Sequence, residues 1–417
     1  MDVIIIGDAF VDLLCVVDAE KKREFSNSCE STEERDSAVI KLGGDVLLRF
    51  PISIMAGGSG INTATHLYSL LKQFRVNVDF HVEIQTVFNE NDMYGKLLRR
   101  HATDIGFTLC NQWEYRQKES SNNEGGKDPS ISQLTHHQLA TGHCVVVSQD
   151  GERSFLTHRG CVEYFSPHQV NLSRLLVDDT NASSGNPDQA TIYHQHVHIA
   201  GYYNLPCFWN GNLKGLLQLI KRKHRNVLNA SIFLPTTISL VPQFDATNQW
   251  DGQILDLLTD LDYLILSENE ARCITRYTTQ RDEDDEKLLN HVAQMLYMHT
   301  PNARTIIIVT LGSRGAAALQ TGRVIYKNPL PILPDEVIDT TGAGDAFTGG
   351  FLASLMLSNA TSREEVMGNS VNDSERKFLK NAIRFGCAAG TACTIKKGAS
   401  VPSTKEEIEY FLGNDIN

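Results

Sequence analysis

The feature that most constrains this chain is a run of small residues placed directly before an apolar helical pattern, in residues 339–351 (DTTGAGDAFTGGF). Apolar side chains recur at every fourth position on one helical face, from Ala343 through Phe347 and Phe351 to Leu355 just beyond this stretch. The spacing predicts a loop that opens a helix. Because the first turn of a helix carries unpaired backbone N–H groups and the positive end of the helix dipole, it can hold an anion.

A carboxylate in that anion-binding turn is the unusual part. Asp345 would repel a bound phosphate unless its task is to take a proton from a hydroxyl that attacks the phosphate. Glycine also allows the backbone to approach a phosphate closely. The residues alone therefore indicate a general base built into an anion site, and an ordinary acidic turn is the alternative.

The same stretch closely resembles the C-terminal signature of the PfkB (ribokinase-like) family of carbohydrate and nucleoside kinases, D-T-x-G-A-G-D-x-F. The resemblance implies that Asp345 is the catalytic base. It also implies that the N–H groups of Gly342, Ala343 and Gly344 stabilise the charge that develops on the transferred phosphoryl group. ATP and Mg²⁺ are the implied cofactors, with K⁺ as a third.

Composition limits the partners that we expect. The chain has 417 residues, 41% of them hydrophobic, and a formal net charge of −12. It can bury a large core, and its charge argues against nucleic acid and anionic membranes as general partners. No apolar run is long enough to span a bilayer. Nine scattered cysteines and the absence of a basic leader predict a reducing, cytoplasmic location.

A buried strand is predicted at residues 3–6, and two acidic side chains follow it, Asp8 and Asp12. Open α/β sheets bind ligands beyond the carboxyl ends of their strands, so these carboxylates can reach sugar hydroxyls. No G-x-G-x-x-G follows the strand, which argues against a dinucleotide-binding site. The family holds its sugar with an Asp at the position of Asp12; a solvated loop acid is the alternative.

Residues 55–64 (MAGGSGINTA) form the second informative stretch. Two adjacent glycines bring the backbone against a ligand, and a helical pattern follows. The stretch resembles the family pattern G-G-x-x-x-N-x-A, which implies that Gly57, Gly58 and Asn62 bind substrate hydroxyls. Ser59 stands where ribokinases commonly have Lys.

Nucleotide binding is expected from two further stretches. Residues 306–315 read as a strand ending in a glycine turn and resemble the family loop T-L-G-x-x-G, which assigns Thr310, Gly312 and Gly315 to ATP together with Gly344. A hairpin turn is the alternative. The Ala- and Gly-rich residues 384–399 predict a helix that packs closely on the sheet and on adenine, and Cys387 stands where such enzymes often have a polar adenine contact.

Metal positions follow from the resemblance as well. Glu270 matches the acid of the family pattern N-x-x-E, which organises the waters of magnesium, although Ser267 stands where Asn is usual. Asp339 and the Thr341 carbonyl match the potassium-loop positions of ribokinase. Three histidines alternate along a predicted strand: His194, His196 and His198. A metal site is conceivable from their chemistry, and a strand edge beside an insertion is the other explanation.

Alternating strand and helix patterns predict a doubly wound parallel sheet. The resemblance implies one three-layer α/β/α sandwich over residues 1–417, with a mostly parallel sheet and a small β-sheet lid formed from 11–54 and 107–159. Lids of this fold often pair, so a homodimer is predicted by analogy. Four polar insertions are expected, at 19–37, 116–133, 178–189 and 362–376.

The implied reaction is ATP-dependent phosphorylation of a primary hydroxyl of a sugar. The G-S-G-I-N spacing and the K-G-A ending at residues 397–399 resemble ribokinase, which favours ribose as substrate and ribose 5-phosphate as product. Ser59 departs from the ribokinase pattern and leaves fructose, another sugar or a nucleoside open. A regulator that binds sugar or nucleotide without turnover is the alternative of a different class.

Overall fold

The computed structural model describes residues 1–17, 47–75, 79–113, 139–149, 152–175, 195–226, 236–278, 285–301, 303–330, 337–361 and 371–413. Three predicted insertions, 19–37, 116–133 and 178–189, lie outside these residues. Of the fourth predicted insertion, 362–376, the structure describes residues 371–376, which begin the helix Val371–Thr394, and the insertion stays a prediction. A polar composition does not by itself distinguish a surface loop from a helix terminus.

The described strands form two sheets. In chain order they are β1 (Asp2–Gly7), β2 (Phe10–Val16), β3 (Ser53–Gly57), β4 (His81–Thr86), β5 (Thr108–Asn111), β6 (His143–Gln149), β7 (Glu152–His158), β8 (Gln195–Ala200), β9 (Thr237–Val241), β10 (Tyr263–Ser267), β11 (Ile306–Thr310), β12 (Ala316–Gln320) and β13 (Arg323–Asn328). The larger sheet has the order β13–β12–β11–β10–β9–β8–β1–β4–β5. Neighbours from β5 through β11 pair in parallel, and β12 and β13 are added antiparallel.

The α-helices of the described chain are α1 (Ser59–Phe74), α2 (Met93–Ile105), α3 (Leu172–Leu175), α4 (Asn212–Asn226), α5 (Glu268–Ile274), α6 (Asp285–His299), α7 (Ala343–Thr361), α8 (Val371–Thr394) and α9 (Lys405–Leu412). None of these helices combines the length and the apolar character needed to cross a membrane. The helix α2 begins after Asp92, whose carboxylate accepts a hydrogen bond from the Gly95 N–H. It ends at Gly106, which has a left-handed backbone.

Strand β1 separates two hydrophobic cores. Ile4 and Ile6 pack with α4 and α6 on one face of the large sheet, whereas Val3 and Ile5 pack with α1, α7 and α8 on the other. Successive side chains of a strand point to opposite faces, so a continuous apolar run requires helices on both sides. This arrangement confirms the predicted three-layer α/β/α fold with a mostly parallel sheet.

Helices α7 and α8 approach each other closely where both have glycine. A Cβ atom on Gly350 would lie 2.7 Å from the Ala389 Cβ, and one on Gly386 would lie 2.9 Å from the Phe347 carbonyl oxygen. The Ala- and Gly-rich segment therefore packs closely against α7, whereas its packing on adenine stays a prediction. The close packing brings the start of α7 next to α8.

The smaller sheet has the order β3–β2–β6–β7, and its own core contains Leu14, Cys144 and Val146. The lid prediction is wrong for the start of residues 107–159, because β5 pairs with β4 at the edge of the large sheet. The reason is that β4, α2 and β5 form a crossover unit, with Leu109 of β5 buried in the core that contains α1.

Candidate active site

Asp345 lies in the first turn of α7 and is held by three neutral donors. The Ser59 hydroxyl donates to Oδ1 at 2.9 Å, the Asn62 amide donates to Oδ2 at 2.9 Å, and the Gln243 amide donates to Oδ1 at 3.0 Å. Ser59 and Asn62 both come from the start of α1. The side chain of Asp345 is therefore fixed at the junction of α1, α7 and the segment after β9.

Burial sets the proton affinity of this carboxylate. The pKa of Asp345 is raised to about 6 by loss of solvent, and the hydrogen bonds from Asn62, Ser59 and Gln243 oppose that rise. At neutral pH the group is thus mostly ionised but holds a proton more readily than an exposed aspartate. A general base is most effective when its pKa lies near the working pH.

The predicted substrate residues meet at Asp345. Asp12 of β2 lies beside Gly57, since a Cβ atom on Gly57 would lie 2.1 Å from Asp12 Oδ2. The N-cap of α1 is Gly58, with a left-handed φ of 86°. Asn62 contacts Asp345 directly. Burial, followed by the charge of Asp345, raises the pKa of Asp12 to about 7.

Both carboxylate oxygens of Asp8 accept hydrogen bonds from other residues of the protein. Its Oδ1 accepts the Gly60 N–H at 3.0 Å, and its Oδ2 accepts the Asn204 amide at 2.6 Å. Burial raises the pKa of Asp8 to about 7. Fully buried, this carboxylate fixes the first turn of α1 and the turn after β8, and its contact with a sugar hydroxyl stays a prediction.

A cavity of about 250 Å³ opens between the start of α7, the helix α8 and the loop after β11. We call it the α7–α8 cavity. Every residue that the sequence assigns to ATP lines it: Thr310, Gly312, Gly315, Gly344 and Cys387. Sequence reasoning missed other lining residues, among them Phe347 and Thr391. Asp345 follows Gly344 in the chain and contacts Asn62, so it lies between this cavity and the predicted substrate residues.

The turn before α7 has the geometry that its glycine predicts. Gly342 has φ 78°, and a Cβ atom there would lie 2.6 Å from Ala399. The Ala343 N–H donates to the Thr340 carbonyl at 3.3 Å and closes the turn. Gly344 has open space where a side chain would start. The anion-binding role of these three N–H groups stays a prediction, and that of Ala343 is reduced by its existing bond.

Asp339 precedes this turn and is already paired. Its Oδ1 accepts the Thr341 N–H at 2.9 Å and the guanidinium of Arg153 at 2.6 Å, and its Oδ2 accepts the Gly398 N–H at 2.9 Å. Arg153 comes from β7 of the small sheet. Because its charge balances that of Asp339, this carboxylate does not fit a potassium ligand well. The potassium roles of Asp339 and Thr341 stay predictions.

Glu270 caps its own helix. The Ser267 N–H donates to Glu270 Oε2 at 2.8 Å, and the Glu270 N–H donates to the Ser267 hydroxyl at 3.3 Å. Serine at position 267 is thus explained by the cap. Burial raises the pKa of Glu270 to about 7, and Asp345 adds to the rise. A buried carboxylate near Asp345 suits the water shell of Mg²⁺, a role that stays a prediction.

The histidine pattern has a structural explanation. In β8, His196 contacts Thr237 and Ser239, and His198 contacts Ser239, all at 2.7 Å. The strand lies between β1 and β9, so the explanation by a strand edge is wrong. His194 lies outside the described residues. Where the chain is described, no group of three or more His, Cys, Asp or Glu is arranged to hold a metal ion.

The whole chain can be compared with known proteins. Residues 217–406 match the model of the pfkB family carbohydrate kinases. The match covers 190 of the 417 residues and supports membership of that kinase family. Adenosine kinase 2 from Arabidopsis thaliana is 20% identical over 396 residues, covering 95% of this chain and 94% of that kinase. Ribokinase from Haemophilus influenzae is 29% identical over 168 residues, covering 39% of this chain and 46% of that enzyme.

The fold of this protein is also found in solved structures. Ribokinase from Giardia lamblia superposes with a TM-score of 0.63 at 18% sequence identity, and the match covers 98% of both chains. At that identity the similarity establishes the fold alone. It confirms the predicted architecture over the length of this chain.

Proposed function

We propose that this kinase transfers the γ-phosphoryl group of ATP to a primary hydroxyl of a sugar, with ribose as the first candidate. The position of Asp345 carries the proposal. This carboxylate contacts Asn62 and Ser59 on one side and follows Gly344, which lines the α7–α8 cavity, on the other. A group so placed can contact both a hydroxyl and the phosphate that it attacks.

Asp345 acts as the base in this proposal. The hydroxyl gives its proton to the Asp345 carboxylate while its oxygen forms a bond to the γ-phosphorus. The bond between that phosphorus and the β–γ bridging oxygen breaks, and ADP leaves with the electron pair. The pKa of Asp345 near 6 is suited to this transfer at neutral pH.

Charge on the transferred group is balanced by the start of α7. The N–H groups of Gly342 and Gly344, aided by the helix dipole, are the proposed donors, with Ala343 in a lesser role. Mg²⁺ would neutralise phosphate charge when bound, and Glu270 is the residue proposed to order its water shell. No K⁺ step is proposed at Asp339 and Thr341, because Arg153 already balances the charge of Asp339.

The substrate is proposed to be an uncharged polyol. Asp12 and Asn62 supply hydroxyl-binding atoms, and the Asn62 Oδ1 is buried without a hydrogen-bond partner, which leaves it to accept from a ligand. Asp12 and Asp345 together would repel a sugar that already carries a phosphate. Fructose and a nucleoside remain alternatives, and the nearly full-length match to an adenosine kinase supports testing adenosine.

Dimerisation through the small sheet is proposed by analogy with the fold. On one face its edge strands expose apolar side chains at Ile54 and Leu156, which lie in one cross-strand row, with exposures of 44 and 60%. A second copy would cover such a face. The mass of the protein in solution, compared with that of a Leu156→Lys variant, tests this point.

A coupled assay of ADP release, run over sugars and nucleosides with and without KCl, tests the proposed function. Turnover with ribose supports the proposal. Turnover with another compound but not with ribose would make that compound the proposed substrate. Binding of sugar or nucleotide without any turnover would favour a regulator.

A further inference from the structure

Gln243 lies two residues beyond the end of β9 at Val241, and the sequence offers no motif that marks it. Its amide donates to Asp345 Oδ1 at 3.0 Å across 102 positions of the chain. We infer that Gln243 is a positioning residue for the base: with Ser59 it occupies Oδ1 and leaves Oδ2 to accept the proton of the substrate hydroxyl. This inference rests on the proposed function of Asp345.

The count of acceptor sites supports this assignment. An ionised carboxylate offers about two lone-pair directions on each oxygen. Asp345 Oδ1 accepts from Ser59 and from Gln243, whereas Oδ2 accepts from Asn62. The second direction of Oδ2 is therefore the one that these three donors leave to a substrate hydroxyl. Fixed donors also prevent the carboxylate from rotating and exchanging its two oxygens.

The backbone at Gln243 supports a functional role independently. Its φ is 65°, a left-handed conformation that costs free energy in a residue with a side chain. The preceding residues are fixed, because the Val241 carbonyl accepts from the Gly201 N–H at 3.0 Å and the Pro242 carbonyl accepts from the Tyr203 N–H at 2.9 Å. The strained residue is thus held where its amide reaches Asp345.

Other charged and titratable groups around Asp345 bear on any pH effect. Asp8, Asp12 and Glu270 each have a pKa raised chiefly by burial and secondarily by Asp345. The buried Cys393 thiol also responds to Asp345 and Asp339, and Arg153 pairs with Asp339. These groups are unchanged in variants of Gln243, so comparison with the wild type isolates the lost amide donor.

The test uses Gln243→Leu, which keeps the bulk and removes the donor, and Gln243→Asn, which tolerates a left-handed backbone but is one methylene too short. Gln253→Leu is the matched control, because Gln253 has φ 60° and an exposed side chain. Initial rates are measured from pH 5 to 9 with the best substrate of the panel, and thermal unfolding confirms that each variant is folded.

We expect kcat to fall about ten- to a hundredfold in both Gln243 variants, with the KM for ATP within about twofold of wild type. The acid limb of the kcat/KM profile should move to higher pH, because losing a donor raises the pKa of the base. Gln253→Leu should leave kcat and the pH profile unchanged.

Two results would overturn the inference in different ways. If Asp345→Asn abolishes turnover while a folded Gln243 variant keeps the wild-type rate and pH profile, Asp345 remains the base and Gln243 is no positioning residue. If Asp345→Asn also retains turnover, the proposed function fails and this inference fails with it. If Gln243→Leu does not fold, the rate and the pH profile of Gln243→Asn decide between these results instead.

Discussion

The guanidinium of Arg153 lies 2.6 Å from Asp339 Oδ1 and joins the small sheet to the turn that opens α7. Both side chains are largely buried, with exposures of 13 and 7%. A charge-assisted hydrogen bond of this kind, shielded from water, is stronger than a surface ion pair. It connects the position of the lid to the segment proposed to bind phosphate.

Removing this contact should uncouple the lid from phosphoryl transfer. In Arg153→Met we expect kcat/KM for the sugar to fall about tenfold or more, and ADP release without sugar to rise relative to sugar phosphorylation, because water enters an open site. Both rates come from one coupled assay. Arg49→Met, at an exposed arginine near the small sheet, is the control. Unchanged coupling in Arg153→Met would show that the contact does not govern closure.

Gly344 offers a test of the α7–α8 cavity that spares the fold. A Cβ atom at Gly344 would meet no atom within 4 Å, and the same holds for Gly215 in α4. We expect Gly344→Ala to unfold at the wild-type temperature or slightly above it, since alanine favours helix, while the KM for ATP rises several-fold. Gly215→Ala should keep the wild-type KM. Equal ATP kinetics in the two variants would argue that phosphate does not bind at Gly344.

Much of this site could be predicted from local sequence patterns, and the exceptions have a common cause. The strands and glycine turns around Asp345 follow from periodicity and backbone chemistry over a few residues. The contacts of Gln243 and Arg153 join segments 102 and 186 positions apart, and nothing in either local sequence records them. The strand before Gln243 spans only Thr237–Val241. Five residues are too few for a clear period.

The buried carboxylate of Asp12 should make stability depend on pH. Its folded pKa of about 7 exceeds the unfolded value of 3.8, so the folded state binds the proton more tightly and loses this advantage as pH rises from about 4 to about 7. Asp12→Asn mimics the protonated form. In urea unfolding of the ligand-free protein, the variant should be more stable than wild type at pH 8 by on the order of 2–4 kcal/mol, and the difference should shrink toward pH 4.

The control for that measurement is Asp104→Asn, at an exposed position of α2, whose effect should be small and similar at both pH values. Two results would contradict an unfavourable buried charge at Asp12. One is an Asp12→Asn protein that is less stable than wild type at pH 8. The other is a gain in its free energy of unfolding over wild type that increases as the pH is lowered.

The most direct measurement is the turnover of Asp345→Asn beside Asp104→Asn, with ATP binding measured on the same preparations. Asparagine keeps the size of the side chain but cannot accept the proton at neutral pH, so kcat should fall by about two orders of magnitude or more while ATP affinity changes little. Near-normal turnover in folded Asp345→Asn would contradict the account, because the proton would then leave the hydroxyl without this carboxylate.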